Sequence, residues 1–393
     1  MTQPIHQIGK RTLATTLVGV GLLAISLSAC ATALGMNVPL SGFPHLSGED
    51  LGAAVNIPDR PTALSPTKTP TALMPPTATA TAVASPEPVR LTEGGCCSYP
   101  MWSPDSQWVL FLDKPGRLQP AGLYGVPVDG GERTLIHDQV GVYSESRSLV
   151  AYPQSGWMFV ERWADGTKWF IPSEGRMVRF SPSGQYVTWE VSSPSIKFPD
   201  LRQRAIWVAN ADGTNAREAV TVNGGQFVGW EAGEETLIVT GRLGPSMPSG
   251  VWRIRVEDGA GRLLMEVQRP RSPLISPEGG WVAFFVAFDT DPDRNGLWVL
   301  QTDGMSVRKL DLFGAYRWRS EDVLLVIPLN LQAQGASLWQ IDVATGAAIR
   351  LTDPKHTPLP IANNDWRPSP DGRRIVFLSS EDRNLWALHL PNP

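Results

Sequence analysis

The chain is poor in the residues on which most chemistry runs. Its 393 residues hold three cysteines and five histidines. The histidines (His6, His45, His137, His356 and His389) are scattered and none falls in an HExxH pair, which excludes a zincin-type metal site. There is no Gly-x-Ser-x-Gly elbow and no GxxxxGK[ST] loop, so the hydrolase nucleophile and the phosphate cradle are both missing. Charged residues make up only 18%, with a net charge of −4. A nucleic-acid partner is therefore not expected, because it needs a basic face to release counterions. What is plentiful is tryptophan (15), glycine (37) and proline (35), in a chain that is 42% hydrophobic. That mix can bury a large core. It is too heavily punctuated for a helical bundle and too apolar to be disordered throughout.

The first residues read as an export signal. Lys10 and Arg11 precede an uncharged apolar run, Leu13 to Leu27, too short and too close to the terminus for an ordinary membrane span. The run ends in Leu27-Ser28-Ala29-Cys30, which resembles a bacterial lipoprotein signal. The resemblance implies that residues 1–29 are removed and that Cys30 carries the lipid. Residues 30–87 follow as a tether. Its later part, PTALSPTKTPTALMPPTATATAVASP, has no large aromatics and no period, so burial cannot offset its ordering entropy.

From residue 88 a phrase repeats. Trp102-Ser103-Pro104-Asp105-Ser106 precedes an apolar strand, and it returns as Phe180-Ser181-Pro182-Ser183-Gly184, Ile275-Ser276-Pro277-Glu278-Gly279 and Pro368-Ser369-Pro370-Asp371-Gly372. Degenerate copies are anchored at Tyr143, Trp230 and Trp318, giving seven at intervals of about 44 residues. Each is followed by an apolar-aromatic pair such as Leu123-Tyr124, Ile206-Trp207 or Leu385-Trp386, then by a turn, most often Asp-Gly, suited to tight hairpins. Four short strands per unit predict an all-β fold: a seven-bladed β-propeller of four-stranded antiparallel blades over 88–393. The seventh copy ends before its last strand. Val89-Arg90-Leu91-Thr92 reads like Ile349-Arg350-Leu351-Thr352, so residues 88–92 are expected to close the ring as that strand.

The Ser-Pro-Asp-Gly phrase with its downstream Leu-Trp strand resembles the TolB-type propeller repeat, related to the N-terminal propellers of prolyl-oligopeptidase-like proteins. The resemblance implies an extracytoplasmic binding or scaffolding role. It transfers no chemistry by itself.

Several constellations remain. Eight tryptophans sit at repeat anchors and are expected in the core, whereas Trp157, Trp163 and Trp169 fall off them. Asp289, Asp291 and Asp293 alternate like calcium ligands, but Arg294 stands where the sharp turn needs glycine. Asp382-Arg383-Asn384 repeats the end of that segment before its own Leu-Trp, so a solvated turn is expected there and no metal or other cofactor. Cys96 and Cys97 are adjacent; a vicinal disulfide and a pair of thiols both remain open. Arg179, Arg317 and Arg367 each stand one residue before an anchor, in one register beside the channel. They either pair with carboxylates between blades or form a collar that attracts an anionic group. The second connection of most blades is long (113–122, 192–204, 241–250, 289–296 and 328–337), and that rim is expected to carry recognition.

The expectation is a lipid-anchored, monomeric propeller on the extracytoplasmic side that binds a protein or cell-envelope component. It should touch the membrane through its lipid alone and do no chemistry of its own. The alternative is a propeller enzyme or a carbohydrate-binding protein with its site at the channel mouth.

Overall fold

The computed structural model describes residues 87–95, 98–193, 202–329 and 336–392. The signal peptide, Cys30, the tether up to residue 86, and Cys96 and Cys97 lie outside the described residues.

Seven four-stranded antiparallel sheets form, each a meander. The innermost strands are Ser98–Trp102, Val142–Tyr143, Arg179–Phe180, Phe227–Trp230, Arg271–Ile275, Gly314–Trp318 and Ile361–Pro368. Each ends on a repeat anchor, so the seven blades are the seven copies read from the sequence. The second strand of a blade is flanked by sheets on both faces and reads as a near-continuous apolar run. Trp281–Val286 and Arg374–Ser379 are each buried at all but one position. The outermost strands are the most exposed of each blade, as in Thr134–His137 and Val307–Leu310. Between blades lie apolar layers in which Val150, Leu237, Leu324 and Ile375 are fully buried. Each such side chain is worth about 1.5–3 kcal/mol. Of the eight anchor tryptophans, Trp102, Trp230, Trp252 and Trp318 are buried and Trp207, Trp298, Trp339 and Trp386 half-buried.

Closure follows the expected phrase. Val89 pairs with Ala387 and Arg90 with Trp386, which makes Val89–Arg90 the outermost strand of blade seven. The Leu91 N–H donates to the Leu385 carbonyl at 2.8 Å, and the Leu385 N–H donates to Thr92 Oγ1 at 2.9 Å. In blade six the same bonds run from Leu351 to Leu338 at 2.8 Å and from Leu338 to Thr352 Oγ1 at 2.8 Å. One phrase makes one pattern, whether or not the strand is continuous with its blade.

Candidate functional site at the mouth of the channel

The Ser-Pro turns form a ring around one end of the channel. Their serine is buried in blades two, three, five and seven and half-buried in blade one, and its hydroxyl accepts the N–H of the residue that starts the second strand. The distances are 2.9 Å from Trp108 to Ser103, 2.8 Å from Trp281 to Ser276 and 2.9 Å from Arg374 to Ser369. Blade two, though degenerate, keeps this bond from Leu149 to Ser144 at 3.1 Å. Blades four and six replace the serine with Glu231 and Arg319. Glu231 accepts from Thr236 in its own blade and from Arg253 Nε at 2.6 Å.

Three residues after the serine the backbone of these turns is left-handed, and that residue meets the preceding blade. Gly279 (φ +83°) lies against blade four so tightly that a Cβ would come within 2.7 Å of the Ala232 nitrogen. In blade two this position is Arg147 (φ 59°), whose Nη2 donates to the Trp102 carbonyl of blade one at 2.9 Å. Carboxylates do the same work elsewhere. Glu321 of blade six accepts from Ser276 Oγ at 2.8 Å and from the Glu278 and Gly280 N–H groups at 2.7 Å, all in blade five. Glu234 of blade four accepts the N–H and hydroxyl of Ser183 in blade three, both at 2.6 Å. Repeat phrase and ring assembly are thus one device.

Inside this ring is a cavity of about 530 Å³ lined by residues of blades one, two, five, six and seven, including Trp102, Arg147, Glu278, Trp318, Arg319, Glu321 and Arg367. Five blades contribute, so it spans the channel axis. The mouth cavity lies on the Ser-Pro rim, opposite the rim of the long connections that was expected to carry recognition. Its three arginines come from three blades, and none is within 4 Å of a carboxylate oxygen among the described residues. Arg319 is 3% exposed, and its guanidinium donates to the Gly372 carbonyl at 2.7 Å, to the Pro391 carbonyl and to Gln340 Oε1. Burial pulls its proton affinity down. Arg147 donates to the Ser144 and Trp102 carbonyls, while its buried Nε has no partner. Burial lowers its pKa too, and the charge of Glu145 opposes that. Against these three arginines the lining sets two carboxylates, Glu278 and Glu321, so the mouth is cationic by one charge.

The structure separates the collar read from the sequence. Arg317 and Arg367, on adjacent blades, share Asp365 as an electrostatic neighbour. Burial pushes the Asp365 carboxyl above its usual range, against the pull of Arg367, the Tyr99 N–H and Arg317. Arg317 also donates to the Tyr316 carbonyl at 2.8 Å and to the Asn364 carbonyl at 3.2 Å, and lies 5.4 Å over Trp366. Arg179, on blade three, is exposed and sits 5.7 Å over Phe227, away from the other two. Of the collar, Arg367 alone lines the cavity. Sequence reasoning missed Arg147 and Arg319. Their signal was positional: each is a charge where other copies keep glycine or serine.

The Asp289 segment is a turn built from its own carboxylates. Asp289 Oδ1 accepts the Asp291 N–H at 3.1 Å, Asp291 Oδ1 accepts the Asp293 N–H at 3.0 Å, and Pro292–Arg294 is a short 3₁₀ turn. Among the described residues no group of three or more His, Cys, Asp or Glu is placed to hold a metal ion.

No protein-family model and no curated protein matches the sequence. Solved structures match the fold. An oligogalacturonate lyase in complex with manganese has a TM-score of 0.56 at 10% identity, over 79% of this chain and 99% of that one. The oligogalacturonate lyase of Vibrio parahaemolyticus has 0.57 at 9%, over 77% and 93%. TolB of Acinetobacter baumannii is matched at 0.38 and 10%, over 75% of this chain and 63% of that one. The chain is a seven-bladed β-propeller with both TolB and enzymes among its structural neighbours. The expectation that it does no chemistry of its own is corrected here. A propeller makes up nearly the whole of a lyase, so the missing elbow excludes nothing about catalysis. The manganese of that lyase has no matching donor set among the described residues.

Proposed function

We propose that the chain is an exported propeller, held at a membrane through lipid on Cys30, that captures an anionic group of a protein or cell-envelope component at the mouth of its channel. One observation carries this reading: Arg147, Arg319 and Arg367 line one axial cavity, with no carboxylate of the described residues within ion-pair distance of any of them. Guanidinium groups offer fixed forks of donors to carboxylate or phosphate oxygens, and a partly desolvated cleft strengthens them. Asp365 sets the pH dependence. Its raised pKa means that it takes up a proton early as pH falls, which frees Arg367 and Arg317 from an opposing charge, so anion binding strengthens.

The test is a titration of the full-length protein in detergent with hexagalacturonate as the anionic probe. Binding should be saturable and weakened by salt. Arg367→Glu should weaken it about tenfold, the scale of one lost charged contact, and Asp365→Asn should strengthen it at neutral pH. Affinities unchanged in both variants would refute the site. Cys30→Ser should release the protein from its native membrane, and retention would refute the anchor.

A second reading is favoured by the lyase fold: an enzyme acting on an acidic saccharide at the same mouth. The same mixture reads it, because elimination leaves an unsaturated, ultraviolet-absorbing uronide. Growth of that absorbance, abolished in Arg367→Glu, marks a lyase.

A further inference from the structure

Blade two breaks the repeat at one corner. Two residues before the aromatic of the third strand, the other blades carry Gly122, Ala205, Gly250, Gly296, Ser337 and Asn384. Blade two carries Trp157. The small residues have a physical cause where the fourth strand covers them: a Cβ on Gly250 would come within 2.4 Å of the Met265 carbonyl, and one on Gly122 within 2.4 Å of the His137 carbonyl. In blade two the fourth strand ends at Ile171, opposite Met158, the register at which blades one and five also end theirs, but here Pro172 follows with no N–H to continue the ladder. The connection beside it is a tight turn, Ser155 (φ 51°) and Gly156 (φ 82°), in place of a long loop. Nothing in the fourth strand pairs with Trp157, and it is 52% exposed.

Two more rings join it. Phe170 stands directly opposite Phe159, at a place that Glu218, Lys309, Arg350 and Arg90 fill in four other blades. Phe170 is 44% exposed and meets Trp157 edge-on at 5.4 Å and Phe159 at 6.2 Å. The fold needs none of this exposure, and departures from a local rule without a packing reason mark functional sites.

We propose that this corner of blade two is a binding platform for a neutral saccharide chain, separate from the anionic site at the channel mouth. The ring faces offer an apolar surface to the C–H face of a pyranose. Hydroxyl partners flank them on the same sheet face. The exposed Gln154 lies directly opposite Trp157, and Glu161 accepts from Tyr152 at 2.6 Å and pairs with Lys168 at 3.2 Å. The charges balance in Glu161 with Lys168 and, close by, in Arg162 with Asp165. A balanced patch suits an uncharged polyol. An anionic bilayer would call for a basic excess, and Glu161 opposes it.

The experiment titrates the full-length protein in detergent with cellohexaose and with chitohexaose. At least one should bind saturably. Trp157→Ala and Phe170→Ala should each weaken it about tenfold or more, Trp157→Tyr should keep most of it, and the thermal midpoint should hold in all three. Arg367→Glu should leave saccharide affinity unchanged, which separates failure here from failure at the mouth. The proposal is overturned if neither probe binds by about 10 mM, a free energy too small for a built site, or if Trp157→Ala binds normally. It is equally overturned if the Cys30→Ser chain floats with phosphatidylglycerol vesicles in a Trp157-dependent way, which would make the corner a membrane contact.

Discussion

Blades six and seven finish with nearly the same four residues, Ile349-Arg350-Leu351-Thr352 and Val89-Arg90-Leu91-Thr92, yet only the first strand is continuous with its own blade. The hydrogen bonds agree to within 0.1 Å. Local pairing is therefore set by the phrase, and the ring places the phrase from the far end of the chain where the missing strand would be. The two blades differ at the opposite rim. Blade seven keeps Ser369 and its internal bond to Arg374, while blade six carries Arg319, whose Nε reaches across to the Gly372 carbonyl of blade seven. In blade six the position that lost its serine thus holds a clamp between blades.

Four changes would break or sharpen this comparison. The largest effect is expected from deleting 88–92, which removes the buried Leu91, the Thr92 hydroxyl and an entire strand edge. About 5 kcal/mol is expected from one buried leucine and three or four lost hydrogen bonds. Deleting 61–80 should leave the urea midpoint where it was, and equal midpoints for both truncations would place closure elsewhere. Next, Arg319→Leu strands the Gly372 and Pro391 carbonyls in a buried site. It should cost about 3 kcal/mol by chemical denaturation, more than a Ser276→Ala change in a regular turn. A third pair tests equivalence directly. Thr352→Val and Thr92→Val each orphan one leucine N–H and should each cost about 1.5 kcal/mol. Amide exchange at Leu385 should rise in the second variant alone. A Thr92 variant as stable as the parent would mean that the closure strand is held by something other than its phrase.

The smallest effect concerns acid. Burial raises the Asp382 carboxyl, but the Asn384 side chain and N–H, Trp386 Nε1 and Ser379 outweigh it and hold the group at about 2. A folded-state pKa below the unfolded one adds stability that is present above about pH 4 and is lost as pH falls towards 2. Asp382→Asn should flatten the acid limb of the stability curve in that window. It should leave the curve near neutrality lower and otherwise parallel, and a steeper acid limb would reverse the assignment.

Much of this is legible in the sequence. The turn serine recurs because a hydroxyl must accept the N–H at position five, and glycine follows because three copies need a left-handed backbone against a neighbour. Both are short-range demands, so they print themselves at regular intervals. The mouth was less legible. Arg147 and Arg319 belong to degenerate copies and matter only because blades two and six face one cavity, a juxtaposition no spacing along the chain expresses. The collar of Arg179, Arg317 and Arg367 showed the converse: shared register put all three beside the channel, but register is silent on which neighbour each one meets. Trp157 was visible as a tryptophan off the anchors. Its exposure required knowing that the fourth strand ends at Ile171, before Pro172, and leaves it uncovered.

By itself the sequence determined the number of blades, the order of strands within them and the strand that closes the ring. Each depends on contacts between residues a few positions apart, repeated until the pattern outweighs its own degeneracy, or on one phrase recognised twice. Only the tertiary structure decided which rim holds the cationic cavity, which arginines share it and which aromatic corner stays open. Those properties arise where residues dozens to hundreds of positions apart meet around an axis. There, charge, desolvation and coverage by a neighbouring strand act through distances that the chain order does not record.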